Sequence, residues 1–177
     1  MEITFVRHAE KETLGEDPYL TKKGAKQAKH LAERLAKDNF NEFYCSNMNR
    51  AKQTAEIVSK KIKMNPKIEK SLNEFESEDL RKNRNNWNKK ERMHYNQLSS
   101  FLRKLTKSPT EDKSVLIVAH GITNRVILSC LTGLNLRKLL PFMQSESGIN
   151  SVYWVERFKN WRLTAWNVNT PVPEKLR

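Results

Sequence analysis

The sequence predicts an α/β domain: a three-layer α-β-α sandwich around a mainly parallel sheet. Three observations carry this. Short apolar runs rich in β-branched and aromatic residues, at 2–6, 40–45 and 114–119, have the length and composition of buried strands. Between them stand segments with apolar residues at helical spacing, at 21–37 and 49–62. Two of the runs end in histidine, as Arg7-His8 and as His120-Gly121, and the ends of strands are where open α/β sheets hold ligands. Strands that alternate with helices run parallel and are covered on both faces.

The elements follow in order. After the first strand, Pro18 forbids an early helix, so 15–20 is a loop. Thr21 is a suitable N-cap for a helix reaching about residue 37, with Ala25, Ala28, Leu31, Ala32, Leu35 and Ala36 as its apolar stripe. The strand 40–45 leads into a helix over 49–62 that turns Ala51, Thr54, Ala55, Val58 and Ile62 to one side. Residues 66–72 suit a short strand. The stretch 73–92 is the least regular, and 82–90 reads as an exposed, mobile loop. The next helix directs Met93, Leu98, Phe101, Leu102 and Leu105 inward and ends at Ser108-Pro109. The run 114–119 is the most apolar and belongs at the sheet centre. A helix over 122–131 stops at Gly133, and a short one over 135–140 stops at Pro141. Strands at 149–156 and 161–168, joined by a turn at 158–160, add an antiparallel edge.

The chain of 177 residues suits a single domain over 1–177. Hydrophobic content is 37% and mean hydropathy is −0.77, which describes a modest core under a heavily charged surface. No apolar run reaches the ~18 residues of a membrane span. The chain enters its first strand directly after Met1, so a secretory signal is not expected. Cys45 and Cys130 read as core thiols in a reducing compartment, and the cytoplasm is the expected location. The net charge is +13, and residues 59–107 hold 14 basic and 6 acidic side chains. Such a surplus attracts anions. Its simplest reading is a solvated face, so nucleic acid is not an expected partner.

Phosphoryl transfer needs positioning and charge stabilisation more than covalent help. Arg7 and Arg50 are two candidate forks for the phosphoryl oxygens, and His120 is a third contact. That leaves His8 as the nucleophile, attacking phosphorus through a ring nitrogen. Two nearby guanidiniums are expected to depress its pKa and keep it neutral. A carboxylic acid is needed to protonate the leaving oxygen.

These residues sit in an order that resembles the histidine phosphatase superfamily, the group that includes the cofactor-dependent, phosphoglycerate mutase-like enzymes. The matching positions are Arg7-His8-Ala9, Leu20-Thr21, Gly24, Gln27-Ala28, Ser46, Arg50-Ala51, Gln53-Thr54-Ala55, Leu72-Asn73-Glu74, His120-Gly121, Asn150-Ser151-Val152, Trp161-Arg162-Leu163 and Asn167. The resemblance implies a phosphatase of branch 1 type in which His8 is phosphorylated. It implies that Arg7, Arg50, His120 and the Gly121 backbone bind the phosphoryl group, that Glu74 donates the proton, and that no metal or organic cofactor takes part. The sequence departs from the family after Glu74, where Phe75-Glu76-Ser77-Glu78 makes Glu76 and Glu78 rivals for the acid. The expected substrate is a phosphorylated small molecule, with phosphoprotein also open. A phosphoglycerate mutase, a protein phosphohistidine phosphatase and a non-catalytic phosphate-binding or nucleic-acid-binding module are the alternatives. Specificity is expected from 10–19 and 73–92. Asn124 either faces the site or only decorates it, and His30 and His94 read as structural.

Overall fold

A computed structural model describes residues 1–77, 79–81, 84–109 and 112–168. In order, the elements are β1 (Glu2–Arg7), α1 (Lys22–Leu35), β2 (Glu42–Cys45), α2 (Asn49–Ile62), β3 (Lys67–Ile68), α3 (Lys89–Leu105), β4 (Ser114–Ala119), α4 (Gly121–Thr132), α5 (Leu136–Leu139), β5 (Ile149–Val155) and β6 (Asn160–Val168). Six strands form one sheet in the order β3-β2-β4-β1-β5-β6. The four strands β3, β2, β4 and β1 run parallel, and β5 and β6 extend the sheet in antiparallel fashion. The expected central position of 114–119 is met: β4 lies between β1 and β2, and residues 115–119 are fully buried.

Two cores confirm the layers. On one face Val6, Phe43, Cys45, Leu116 and Val118 pack against Leu31 and Leu35 of α1 and Ala51, Ala55 and Val58 of α2. On the other, Ile3, Phe5, Val115 and Ile117 pack against Leu98 and Leu102 of α3 and Val126 and Ile127 of α4. Alternate residues of one strand thus serve opposite cores. Each Val, Leu, Ile or Phe among them contributes roughly 1.5–3 kcal/mol of burial.

Most of the expected boundaries hold to within two residues. Thr21 does cap α1, its side chain accepting the Gly24 N–H at 2.8 Å, and Gly133 ends α4 at φ 73°. The strand expected over 66–72 shrinks to two residues and is followed by a 3-10 turn at Lys70–Leu72. Met93 is 53% exposed, not inward; Glu91 and Leu98 take the buried positions of α3. Cys45 is buried as expected, whereas Cys130 is only half-buried, and both thiols are free. The described basic side chains of 59–107 are all exposed, as a solvated face requires.

The largest correction is at 82–90. Lys82 and Asn83 lie outside the described residues; Arg84–Asn86 and residues 88–90 are exposed as expected, but Trp87 is not, and the stretch is not a free loop. Trp87 is only 3% exposed and stacks near Phe75 and Tyr95, with ring centroids 5.3 and 5.5 Å away. Asn88 then starts α3 with a reciprocal cap: its side chain accepts the Glu91 N–H at 2.9 Å, and Glu91 accepts the Asn88 N–H at 2.7 Å. A single aromatic in a polar run has no period to show, so pattern reading passes over it. Trp87→Ala is expected to cost about 3–5 kcal/mol in urea unfolding. A cost within about 0.5 kcal/mol would mean that the segment is a solvated loop after all.

Candidate active site

The register of β1 on β4 pairs Arg7 with Ala119. The next residue on each strand is a histidine, so His8 and His120 emerge side by side, with ring centroids 5.1 Å apart and planes at 61°. The loop after His8 is held by side chains from both helices of that face. Thr54 accepts the Ala9 N–H at 3.1 Å, Gln27 accepts the Glu10 N–H at 2.8 Å, and Gln53 accepts the Leu20 N–H at 2.7 Å. At Gly24 the helix approaches so closely that a Cβ would lie 1.9 Å from the Glu10 carbonyl oxygen. Gly24, Gln27, Gln53 and Thr54, all positions of the family resemblance, thus fix the loop backbone.

His8 is buried, and its hydrogen bonds define its state. Nδ1 lies 2.7 Å from the Ala9 carbonyl, and the Arg50 Nε–H donates to Nε2 at 3.2 Å. A carbonyl only accepts and a guanidinium only donates. The ring is therefore neutral, with its proton on Nδ1 and a lone pair on Nε2. Its pKa is lowered to about 3, first by burial and then by Arg50, Arg7 and Lys11. Two guanidiniums alone were expected to do this; exclusion of water is the larger cause.

Both arginines are held by carboxylates and carbonyls. Asp17 accepts the Asn49 N–H at 2.9 and 3.0 Å at the start of α2 and lies 3.5 Å from Arg50. Arg7 donates to the Gln144 carbonyl at 2.6 Å and pairs with Glu146 at 3.1 Å. Sequence reasoning missed Asp17 and Glu146, because a counter-ion supplied by a distant loop leaves no motif.

Glu74 reaches the histidine pair. Its Oε1 accepts the Ile122 N–H at 3.2 Å, and its Oε2 lies 3.5 Å from His120 Nδ1 and 3.9 Å from Arg50. Thr123 anchors the acid's loop, accepting the Phe75 N–H and donating to the Asn73 carbonyl, both at 2.9 Å. Burial raises the Glu74 pKa, opposed by the Ile122 N–H and then by Arg50 and Arg7. Glu76 instead is exposed and pairs with Lys90 at 2.7 Å, which removes it from the site. Glu78 lies outside the described residues. Gly121 opens α4, so its N–H is outside the helix ladder, while its carbonyl accepts from Arg125 and Gln144 at 3.0 Å each. Asn124 is buried and bonded to Gln144 at 2.9 Å, a structural contact. His94 is likewise held to the Ser71 carbonyl at 3.0 Å.

His8, Glu74 and His120 each place a ligand-type atom within 4.8 Å of the others. The His8 lone pair, however, already receives a guanidinium N–H, and Arg7 and Arg50 flank the group. That field attracts an anion and opposes a cation.

The buried histidines make stability depend on pH. The folded His8 pKa of about 3 lies below the ordinary 6.5, so between those values the unfolded chain binds the extra proton. The His8 contribution to stability is complete above 6.5 and falls as pH drops toward 3. The urea midpoint of the wild type is expected to decline across that window, and His8→Asn to flatten the decline. An unaltered slope in the variant would contradict a neutral buried ring.

A family model of the histidine phosphatase superfamily (branch 1) matches residues 3–169. No curated protein sequence matches the chain. Among solved structures, mycobacterial glucosyl-3-phosphoglycerate phosphatase is 18% identical, with TM-score 0.78 over 96% of this chain and 99% of that one. A phosphoserine phosphatase from Entamoeba histolytica, solved with 3-phosphoglyceric acid, is 20% identical, with TM-score 0.74 over 96% and 98%. At such identities the likeness establishes the fold, which is that of the phosphoglycerate mutase-like enzymes. The match across nearly the whole length establishes the family: the chain belongs to the histidine phosphatase superfamily, branch 1, and is a phosphatase of that group.

Proposed function

We propose that the enzyme hydrolyses a phosphomonoester of a small metabolite through a covalent phosphohistidine on His8. The observation that carries this is the state of the His8 ring: neutral, buried, with an Nε2 lone pair beside two guanidiniums. A phosphoryl group entering between Arg7, Arg50 and His120 takes the Arg50 N–H onto its own oxygens and frees that lone pair. Nε2 attacks phosphorus as the ester P–O bond breaks, and the leaving oxygen takes the proton of Glu74. The Ala9 carbonyl, already on Nδ1–H, stabilises the charge that the ring acquires. Water then attacks phosphorus, Glu74 receives its proton, the P–N bond breaks and phosphate leaves. The relatives of like fold include phosphatases of glucosyl-3-phosphoglycerate and of phosphoserine, which supports a phosphorylated small molecule as substrate. The reading places the enzyme in the cytoplasm, where its two free thiols stay reduced.

The test is hydrolysis of para-nitrophenyl phosphate in the presence of EDTA. Wild-type turnover that is lost in His8→Ala supports the histidine route; equal rates in both would overturn it. For Glu74→Gln, an alkyl phosphate is expected to lose about 10²–10⁴-fold in kcat, and para-nitrophenyl phosphate much less, since its leaving group needs no proton. Glu76→Gln is expected to leave both rates unchanged.

A further inference from the structure

His120 is fully buried, and its Nε2 lies 2.8 Å from the Ser46 hydroxyl, whereas its Nδ1, toward Glu74, has no hydrogen-bond partner. The Ser46 oxygen is in contact with two further groups. It accepts the Met48 N–H at 3.2 Å and lies 3.0 Å from Asn73 Oδ1. That Oδ1 also accepts the Asn47 N–H at 2.9 Å, which identifies it as the amide oxygen. Two oxygens at 3.0 Å need a proton between them, and only Ser46 can supply it. A hydroxyl has one proton and two lone pairs. Its proton goes to Asn73 and one lone pair to Met48, so toward His120 it can only accept.

We propose that Asn73 is a positioning residue that acts through Ser46. It holds neutral His120 in the Nε2–H tautomer, so that Nδ1 enters the phosphoryl pocket bare and a phosphate dianion binds only with uptake of a proton there. The proposal rests on the phosphoryl group docking beside His120, as in the reading above. The charged and titratable groups around the ring set the direction of the coupling. Burial opposes a proton on His120 first, then His8 just beyond β1, Arg50 from α2, Arg7 from β1 and His94 from α3, and Glu74 at 3.5 Å favours one. In the free enzyme the opposition prevails. A bound phosphate dianion reverses it by accepting the new N–H. For an alkyl ester the proton on Glu74 cannot serve both purposes, because the leaving oxygen requires it. Without the Asn73 acceptor, the Ser46 hydroxyl is free to turn toward Nε2. The ring then adopts the Nδ1–H tautomer and donates to phosphate with no proton taken up.

The experiment is nitrogen-15 NMR of the histidine rings in full-length wild type, Asn73→Ala and Asn73→Asp, free and with inorganic phosphate at alkaline pH. Wild-type His120 is expected as the Nε2–H tautomer when free and protonated on both nitrogens with phosphate. Asn73→Ala is expected as Nδ1–H in both states, and Asn73→Asp, which keeps an acceptor for Ser46, as wild type when free. In parallel, kcat/KM for para-nitrophenyl phosphate should fall about tenfold per pH unit on the alkaline side in wild type and stay level in Asn73→Ala. A purely structural role for Asn73 would lower the rate without changing the shape of that profile or the ring tautomer. Wild-type His120 found as Nδ1–H, or phosphate bound with its ring still neutral, overturns the proposal whether or not the variants fold. Absence of any hydrolysis by wild type with the expected ring states would instead count against the phosphatase reading alone.

Discussion

The parallel pairing of β1 with β4 is the constraint on which the site depends. Its register sets Arg7 against Ala119, and one residue further the two chains leave the sheet together as His8 and His120. A slip of one residue would send one histidine to the opposite face of the sheet. The register is secured by burial on both faces: Ile3, Phe5, Val115 and Ile117 commit to one core, Val6, Leu116 and Val118 to the other. The same apolar contacts that stabilise the fold therefore locate two imidazoles 5.1 Å apart.

Burial has a second consequence. It withholds water from both rings and so keeps them neutral where an exposed histidine would begin to titrate. Two guanidiniums in the same space would be costly if unopposed, and the protein meets that cost with Asp17, Glu74 and Glu146. Each of these carboxylates comes from a loop, and each loop is tied down by backbone donors or side-chain clasps such as Thr123. The pocket is thus balanced before any ligand enters, with its positive groups held in place and the half-buried Glu74 carboxyl raised toward the protonated form.

The irregular stretch between β3 and α3 shows how a polar segment can still be ordered. Trp87 covers Phe75, the residue next to Glu74, and the Asn88–Glu91 cap starts α3 immediately afterwards. The catalytic candidate Glu74 thereby sits between a buried aromatic cluster and the first turn of α4, to which Ile122 and Thr123 bind its loop.

By itself the sequence determined the order of strands and helices, the centre of the sheet, and the placement of Arg7, His8, Arg50 and His120 at strand ends or helix starts. Periodicity and apolar runs are local properties, and a histidine after a buried strand has nowhere else to go. The family resemblance already pointed to Glu74, but only the tertiary structure separates it from Glu76, since the two are two residues apart and differ in which way their loop is clasped. The tertiary structure alone decided the counter-ions Asp17 and Glu146, the burial of Trp87, and the Asn73–Ser46–His120 chain. Each of these depends on contacts between residues far apart in sequence, among them the 74 positions that separate Ser46 from His120. No local pattern encodes such a meeting; only the packed arrangement of the sheet and its helices brings it about.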